Sequence, residues 1–182
     1  MLAGRGRKSN VPHIVWLIVT AGSLLLSFGC GYRFSGGPGD NPFPPDIKTI
    51  VLESAVNKTI VTGIETELTN ELRQEFALGT GLKPVRKDGD VILKTVISSY
   101  EDTPSSYKAD GKELTRTGIL RVASSLHRTD TNKLLWQREL AASYPYNVTE
   151  TISETLSNRR RAISRMIKDV IPRLHRSLYD HF

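Results

Sequence analysis

The sequence predicts an α+β fold, in which a four-stranded sheet and two amphipathic helices form a two-layer sandwich with both helices on one face. Two apolar stripes with helical spacing lie far apart in the chain, and four runs with strand character precede or separate them. The predicted order of elements is β-α-β-β-β-α. Because each helix must bury its stripe, one sheet with both helices on the same face encloses a single core. The length of 182 residues suits one domain with an appendage.

The N-terminal segment has the three parts of a secretory signal. Residues 1–10 contain three basic residues and no acidic one, and an apolar run follows over about residues 14–28. This run of about 15 residues is shorter than the roughly 20 needed to cross a bilayer. Residues 1–29 are therefore predicted to be a cleaved signal peptide rather than a permanent anchor.

Cys30 is the single cysteine and directly follows the apolar run. This position resembles a bacterial lipobox, in which the thiol is acylated and becomes the first residue of the mature protein. Gly29 fits that pattern, whereas Leu26 stands four residues before the cysteine instead of three. Two or more acyl chains make membrane attachment stable, which one chain does not. Gly31 after the cysteine favours sorting to the outer membrane, by resemblance to enteric lipoproteins, and the alternative is an unmodified cysteine that happens to end the signal.

Composition argues against a metal site and against a nucleic-acid partner. One cysteine excludes a disulfide framework and Cys-cluster metal centres, and four scattered histidines leave little for a His-based site. The net charge is +6, but the predicted signal peptide holds three of the basic residues and no acidic ones, so its removal halves that charge. Nucleic-acid binders normally concentrate their basic excess in the mature domain. No cofactor is predicted.

Residues 35–45, SGGPGDNPFPP, are too rich in Gly and Pro for a regular ladder or helix. They predict an extended tether of at most about 35 Å. The predicted organisation is thus a signal peptide over 1–29, a lipidated cysteine and tether over 30–45, and one α+β domain over 46–182.

The first strand and helix come directly after the tether. Residues 47–53 are β-branched and apolar, which predicts a buried strand. Residues 59–78 carry an apolar stripe at helical spacing, with Asn57 or Thr59 as the N-cap and Gly79 or Gly81 at the end. The stripe consists of Val61, Ile64, Leu68, Leu72 and Phe76.

Three further strands and a last helix complete the domain. The strands are predicted over 91–101, 114–127 and 134–144. Residues 102–113 are expected to form a long loop, and 129–132 a polar hairpin turn. A helix over 149–179 is predicted to kink at Pro172. Its stripe consists of Ile152, Leu156, Ile163, Ile167, Val170, Leu174 and Leu178.

Enzyme motifs are missing from the sequence, which contains no GxSxG, HExxH, P-loop or GxGxxG pattern. Glu101 and Asp102 form a carboxylate pair that is interpreted as the solvated start of a loop. His127 is interpreted as an ordinary residue at a strand end. The protein is predicted not to be an enzyme.

Basic side chains offer the remaining chemistry. Lys108, Lys112 and Arg116 lie around Tyr107, in or just after the predicted long loop, and ammonium and guanidinium groups suit phosphate recognition. Plain solubility is the alternative for this loop. Further basic residues, Arg159, Arg160, Arg161, Arg165, Lys168, Arg173 and Arg176, lie on the last helix. They indicate either a solvated face or a surface for acidic partners.

Several short motifs, taken in order, resemble one family. They are the opening Cys30-Gly31-Tyr32-Arg33-Phe34, the strand over 47–52 with Asn57-Lys58-Thr59, the pattern Gly63-Ile64-Glu65-x-x-Leu68-Thr69-Asn70-x-Leu72-x-x-Glu75-Phe76, and Asp169-Val170 before Leu174. Together with the element order, they are similar to the outer-membrane lipopolysaccharide-assembly lipoproteins of the LptE type. The resemblance spans nearly the whole mature chain.

This resemblance implies a lipid-anchored protein, palmitoylated at Cys30, that faces the periplasm and the lumen of a large outer-membrane β-barrel of the LptD type. Such a protein plugs the barrel, helps it fold, and so assists delivery of lipopolysaccharide to the cell surface, with direct lipopolysaccharide binding left open. Lys108, Lys112 and Arg116 are hypothesised to bind lipopolysaccharide, and alanine at all three is expected to weaken binding without lowering stability. The alternatives are a generic periplasm-facing lipoprotein that scaffolds another envelope complex, and a secreted hydrolase whose site is not visible in the sequence.

Overall fold

The computed structural model describes residues 42–79 and 81–182. The predicted signal peptide, Cys30 and most of the predicted tether lie outside the described residues. The elements are β1 (Thr49–Leu52), β2 (Val56–Asn57), α1 (Ile64–Leu78), β3 (Lys83–Val85), β4 (Val91–Tyr107), β5 (Glu113–Arg128), β6 (Leu134–Asn147) and α2 (Ile152–Tyr179). The predicted α+β class is confirmed. The sheet has six strands rather than four, because β2 and β3 were not predicted.

The sheet has the order β3-β1-β4-β5-β6, and β2 continues the course of β1 alongside β4. β1 runs parallel to both β3 and β4, whereas β4, β5 and β6 form an antiparallel meander. We call the end of the domain with the β4–β5 turn, residues 108–112, the distal end. The opposite end, where β4 begins and α2 ends, is the proximal end. Both helices run toward the proximal end and are therefore parallel to each other, although α1 begins nearer the middle of the sheet, after β2.

One face of the sheet carries the core. Val91, Leu93, Thr95 and Ile97 of β4 are almost fully buried, whereas the residues that alternate with them are only half-buried. The helix stripes pack on this face. The buried apolar helix residues are Ile64, Leu68, Leu72 and Phe76 of α1 and Ala162, Ile163, Met166, Ile167, Val170, Ile171, Leu174 and Leu178 of α2. The other face of the sheet has no helix over it among the described residues.

The start of α1 differs from the prediction. The helix begins at Ile64 after Gly63, whose φ is +86°, and no side chain caps it. Asn57 and Thr59 were therefore wrong as N-caps. Asn57 instead shapes the preceding loop, because its Oδ1 accepts hydrogen bonds from the Thr59 amide at 2.9 Å and hydroxyl at 2.8 Å. The predicted end at Gly79 is confirmed.

The second helix is continuous from Ile152 to Tyr179, with Pro172 inside it. Its predicted stripe is buried from Ile163 onward, but Ile152 is 77% exposed and Leu156 48% exposed. No residue of α2 before Ala162 is buried. The first turns of α2 therefore extend beyond the packed core.

The predicted long loop over 102–113 is mostly strand. β4 continues to Tyr107 and pairs with β5 as far as Glu113, so the connection is a short turn. Pro104 is accommodated because the register shifts between Pro104 and Ser106, where a missing amide costs little. Thr115 Oγ1 lies 2.6 Å from Ser106 Oγ, which adds a side-chain contact across this irregular stretch.

β6 is an outer strand of the sheet. The Val148 amide donates to the Leu114 carbonyl at 2.9 Å, so the backbone groups of Asn147 point away from β5, and the strand alternation gives Ala141 the same direction. Side chains of α2 bind both carbonyls: Arg173 Nη1 donates to Ala141 O at 3.1 Å, and Asn158 Nδ2 to Asn147 O at 2.9 Å.

The proximal end fixes the point where the described chain begins. Phe43 is 4% exposed and packs edge-on against the ring of Tyr179, with centroids 5.2 Å apart. Asp46 pairs with Arg128 of β5. Asp90 accepts hydrogen bonds from the backbone amides of Lys48 and Thr49, both at 2.9 Å, and these bonds hold its pKa below the ordinary value. The end of the tether is thus joined to β4 and β5.

His175 lies between α1 and α2 near this end. Its side chain is 16% exposed, its Nδ1 is 3.8 Å from Glu75 Oε1, and its buried Nε2 has no hydrogen-bond partner among the described residues. Burial lowers the pKa of His175 below 6.5, and the Glu75 carboxylate opposes this shift only in part.

We expect the free energy of unfolding to fall as the pH is lowered from about 7 toward 5. In this window His175 takes up a proton more readily in the unfolded chain than in the folded one, so the stability present above its unfolded pKa of 6.5 is lost. Urea unfolding at several pH values measures this. His175→Gln should flatten the dependence, and Glu75→Gln, which removes the opposing carboxylate, should steepen it. An unchanged profile in His175→Gln would contradict the assignment.

Candidate functional site

The distal end contains two of the predicted binding residues in the expected setting. Lys108 and Lys112 lie in the β4–β5 turn and are exposed, and Lys112 Nζ is 3.6 Å from the Asp110 carboxylate. The turn closes through a 2.7 Å hydrogen bond from the Lys108 amide to the Lys112 carbonyl. Tyr107 beside it is 61% exposed. These ammonium groups are accessible to an anionic ligand.

Arg116 has a different setting from the two lysines. It lies in β5, where its Nε donates to Asp102 Oδ1 at 2.8 Å and its Nη1 to Glu113 Oε2 at 2.8 Å. The hydrogen bonds to Glu113 and then Asp102 raise the pKa of Arg116. Its side chain is only 26% exposed. Arg116 is therefore not a free cation that could bind a ligand together with Lys108 and Lys112.

Asp102 is the centre of a partly buried polar cluster that the sequence did not predict. Besides Arg116, its Oδ2 accepts hydrogen bonds from the Tyr146 hydroxyl at 2.9 Å and the Tyr100 hydroxyl at 3.3 Å. Burial raises the pKa of both phenols, and the Asp102 carboxylate adds to the effect. Both therefore remain protonated donors, and the cluster fixes the base of the β4–β5 hairpin. The interpretation of Asp102 as a solvated loop residue was wrong.

A β-bulge explains why Asp102 lies on the helix-covered face. Regular strand alternation from Val91 would place Tyr100 on the face opposite to Ile97, but the register shifts between Ile97 and Ser99. One extra residue moves every following side chain to the other face. Tyr100 and Asp102 consequently point to the helix-covered face, where Tyr100 pairs with the buried Leu120.

The arginines of α2 divide into two groups. Arg161 bonds to Asn158 and, at 3.3 Å, to Ser157 Oγ, while the Arg165 guanidinium lies 5.4 Å from the centroid of the Tyr144 ring. The predicted solvated face is confirmed for Arg161, Arg165, Lys168 and Arg176, all of which are exposed. Arg159 and Arg160 instead line a cavity of about 490 Å³ between the first turns of α1 and α2.

The described residues offer little other chemistry. No group of three or more His, Cys, Asp or Glu side chains is placed there to hold a metal ion. His127 lies at the end of β5 as predicted, with its Nε2 3.1 Å from Ser125 Oγ. Within the described part of the chain, no helix has the length and apolar character required to cross a bilayer.

A family model supports the sequence resemblance. The model described as LptE, lipopolysaccharide-assembly, matches residues 47–178. The match begins before β1 and ends one residue before the end of α2, so it includes every strand and both helices. No curated protein matches the chain.

Solved structures support the fold. Lipoprotein B from Nitrosomonas europaea is similar with a TM-score of 0.55 and 18% sequence identity, over 82% of this chain and 90% of its own. The rare lipoprotein B from Shewanella oneidensis is similar with a TM-score of 0.50 and 15% identity, over 70% of this chain and 92% of its own. At these identities the likeness shows the same fold.

Proposed function

The chain belongs to the LptE lipopolysaccharide-assembly family, and on this premise we propose that it is a non-catalytic lipoprotein anchored to the outer membrane through acylated Cys30. It faces the periplasm and enters the lumen of the β-barrel that delivers lipopolysaccharide to the surface, where it plugs the barrel and assists its folding. The observation that carries this proposal is the family match over residues 47–178.

The two ends of the domain suit different roles, with the anchor at the proximal end and the partner at the distal end. The described chain begins at the proximal end, where Asp46 is held to Arg128. β4 has 17 residues and spans about 56 Å at 3.3 Å per residue. An anchor that precedes residue 42 therefore leaves the distal end, with Lys108 and Lys112, free to meet a partner.

The helix-free face of the sheet supports the barrel part of the proposal. The register places polar and charged side chains among small apolar ones on this face. Its members include Lys94, Val96, Ile119, Arg121, Ala123, Ser125, Gln137, Glu139 and Ala141. A surface of this mixed character suits the polar side chains that line the lumen of large barrels.

The test is a detergent pull-down of the tagged full chain from its own membranes, with the partners identified by mass spectrometry. We expect a β-barrel of roughly 20 or more strands to be recovered. Cys30→Ser, which cannot be acylated, should wash out of broken cells with the soluble fraction. Recovery of no barrel from the anchored protein would leave the generic scaffolding lipoprotein as the better proposal.

Lipopolysaccharide binding at the turn can be tested separately. We expect Lys108→Ala combined with Lys112→Ala to weaken binding of purified lipopolysaccharide about fivefold, because two exposed ammonium groups near phosphates each contribute modestly. Lys83→Ala combined with Lys87→Ala removes the same charge elsewhere and should leave binding unchanged. Equal affinity of the two double variants would remove the turn from consideration. Arg116 is omitted because its loss breaks the Asp102 cluster, so the triple alanine variant is now expected to lose stability.

A further inference from the structure

A second feature with the character of a binding site is the cavity between the first turns of α1 and α2. Its volume of about 490 Å³ lies in the range of small-ligand sites. The apolar part of the lining consists of Val61, Ile64, Leu156 and Ile163. Arg159 and Arg160 supply the cationic part, and Glu67 is the only carboxylate in the lining.

Apolar surface continues outside the cavity. Leu156 in the lining is 48% exposed. Two apolar residues next to the lining in sequence are more exposed, Ile60 at 98% and Ile152 at 77%. Single exposed apolar residues are common, but several around one cavity mark a binding surface. Burial of a ligand's hydrocarbon here would cover side chains that the fold itself leaves in water.

The two arginines are not used by the fold. Neither guanidinium makes a hydrogen bond or ion pair with any described residue, in contrast to Arg116, Arg128 and Arg173. Arg159 is half-buried, and its charge opposes the rise that burial causes in the pKa of Tyr100. Paired guanidinium groups at the side of an apolar cavity fit phosphate through charge-assisted hydrogen bonds.

We propose that this cavity binds the phosphorylated, acylated part of lipopolysaccharide, with hydrocarbon against Leu156 and Ile163 and phosphate at Arg159 and Arg160. The choice of lipopolysaccharide over another acyl phosphate rests on the proposed function. The cavity is lined by helix residues and by the loop residues 61–63, and no strand is part of the lining, so an extended peptide has no strand edge to pair with there. The site is separate from the turn lysines, which the cavity lining does not include.

Binding of the detergent-purified full chain to three probes tests the proposal. The probes are lipopolysaccharide, the same lipopolysaccharide after enzymatic removal of its phosphates, and phosphatidylglycerol vesicles. Arg159→Ala combined with Arg160→Ala should weaken lipopolysaccharide binding about tenfold or more, and so should Leu156→Asp. Removal of the phosphates should weaken binding to the unmodified chain to a similar degree. All of these side chains are at least partly exposed, so the fold should be retained, which thermal melting checks.

A matched control removes the same charge outside the cavity. Arg138→Ala combined with Arg176→Ala should change affinity by no more than about twofold. Lipopolysaccharide binding that is unaffected by the cavity variants, or equally affected by the control, would overturn the proposal. Vesicle binding as tight as lipopolysaccharide binding would also overturn it, in favour of a bilayer surface. The pull-down separates this proposal from the proposed function. If the cavity variants no longer bind lipopolysaccharide but still recover the barrel, both proposals stand. If the cavity variants lose lipopolysaccharide binding and the unmodified chain recovers no barrel, only the lipid site stands.

Discussion

Asp102→Ala is expected to lower the free energy of unfolding by about 2 to 3 kcal/mol. The substitution leaves the Tyr146 hydroxyl without its acceptor at 2.9 Å and Arg116 without its bond from Nε at 2.8 Å. Removing one member of a partly buried network costs more than the net worth of the network, because the remaining polar groups stay desolvated. Glu113 remains as a partner for Arg116, which limits the loss.

Urea unfolding followed by tryptophan fluorescence measures this change. Trp136, which is 4% exposed, reports on the folded core, and the other tryptophan, Trp16, lies in the predicted signal peptide. Asp110→Ala is the matched control, because its ion pair with Lys112 at 3.6 Å and its hydrogen bond from the Lys112 amide at 3.1 Å are both solvent-exposed and should together contribute no more than about 1 kcal/mol. Equal effects of the two substitutions would show that the Asp102 cluster does not stabilise the hairpin. Hydrogen exchange should locate the loss of protection in residues 100–118.

Gly81→Ala is expected to destabilise the domain by about 2 to 3 kcal/mol. Gly81 has a φ of +128°, which side-chain-bearing residues rarely adopt, and a Cβ there would lie 2.5 Å from Tyr179 Cε1 and 2.7 Å from its hydroxyl. Tyr179 cannot move freely, because its hydroxyl accepts a hydrogen bond from the Leu82 amide at 3.0 Å and its ring packs on Phe43. The cost of backbone strain and the cost of displacing Tyr179 therefore add in the loss of stability.

Gly111→Ala separates these two contributions. Gly111 has a φ of +82°, and a Cβ there meets nothing within 4 Å, so only backbone strain of about 1 kcal/mol is expected. Thermal or urea unfolding of both variants gives the difference that belongs to the contact with Tyr179. A Gly81→Ala variant no less stable than Gly111→Ala would mean that the ring relaxes without cost.

Local periodicity was sufficient to predict the main elements of the fold. The stripe from Ile64 to Phe76 predicted α1, and alternation predicted the three long strands, because each element buries one face against one core. The start of α1 was missed because Gly63, with no side chain to cap the helix, precedes it. β3 was missed because three residues that include Pro84 carry no readable period. Its parallel pairing with β1 depends on contacts between distant residues.

The functional site could be predicted less completely. Exposed lysines at a turn follow from local composition, and Lys108 and Lys112 lie where they were expected. The pairing of Arg116 with Asp102 was missed because β4 extends beyond the point where the Pro and Gly residues suggested a loop. The bond between Asp102 and Tyr146 joins residues 44 apart, and the cavity joins the starts of two helices far apart in sequence. Neither arrangement leaves a local signal.

The outer strand β6 has a consequence for the proposed function, in which the domain meets an unfinished β-barrel. The carbonyls of Ala141 and Asn147 on its open side already accept hydrogen bonds from Arg173 and Asn158. Pro145 between them has no amide hydrogen to offer. This half of the edge is a poor template for strand addition. If the proposed function is right, this half of β6 should resist strand addition by an unclosed sheet or by a second copy of the domain.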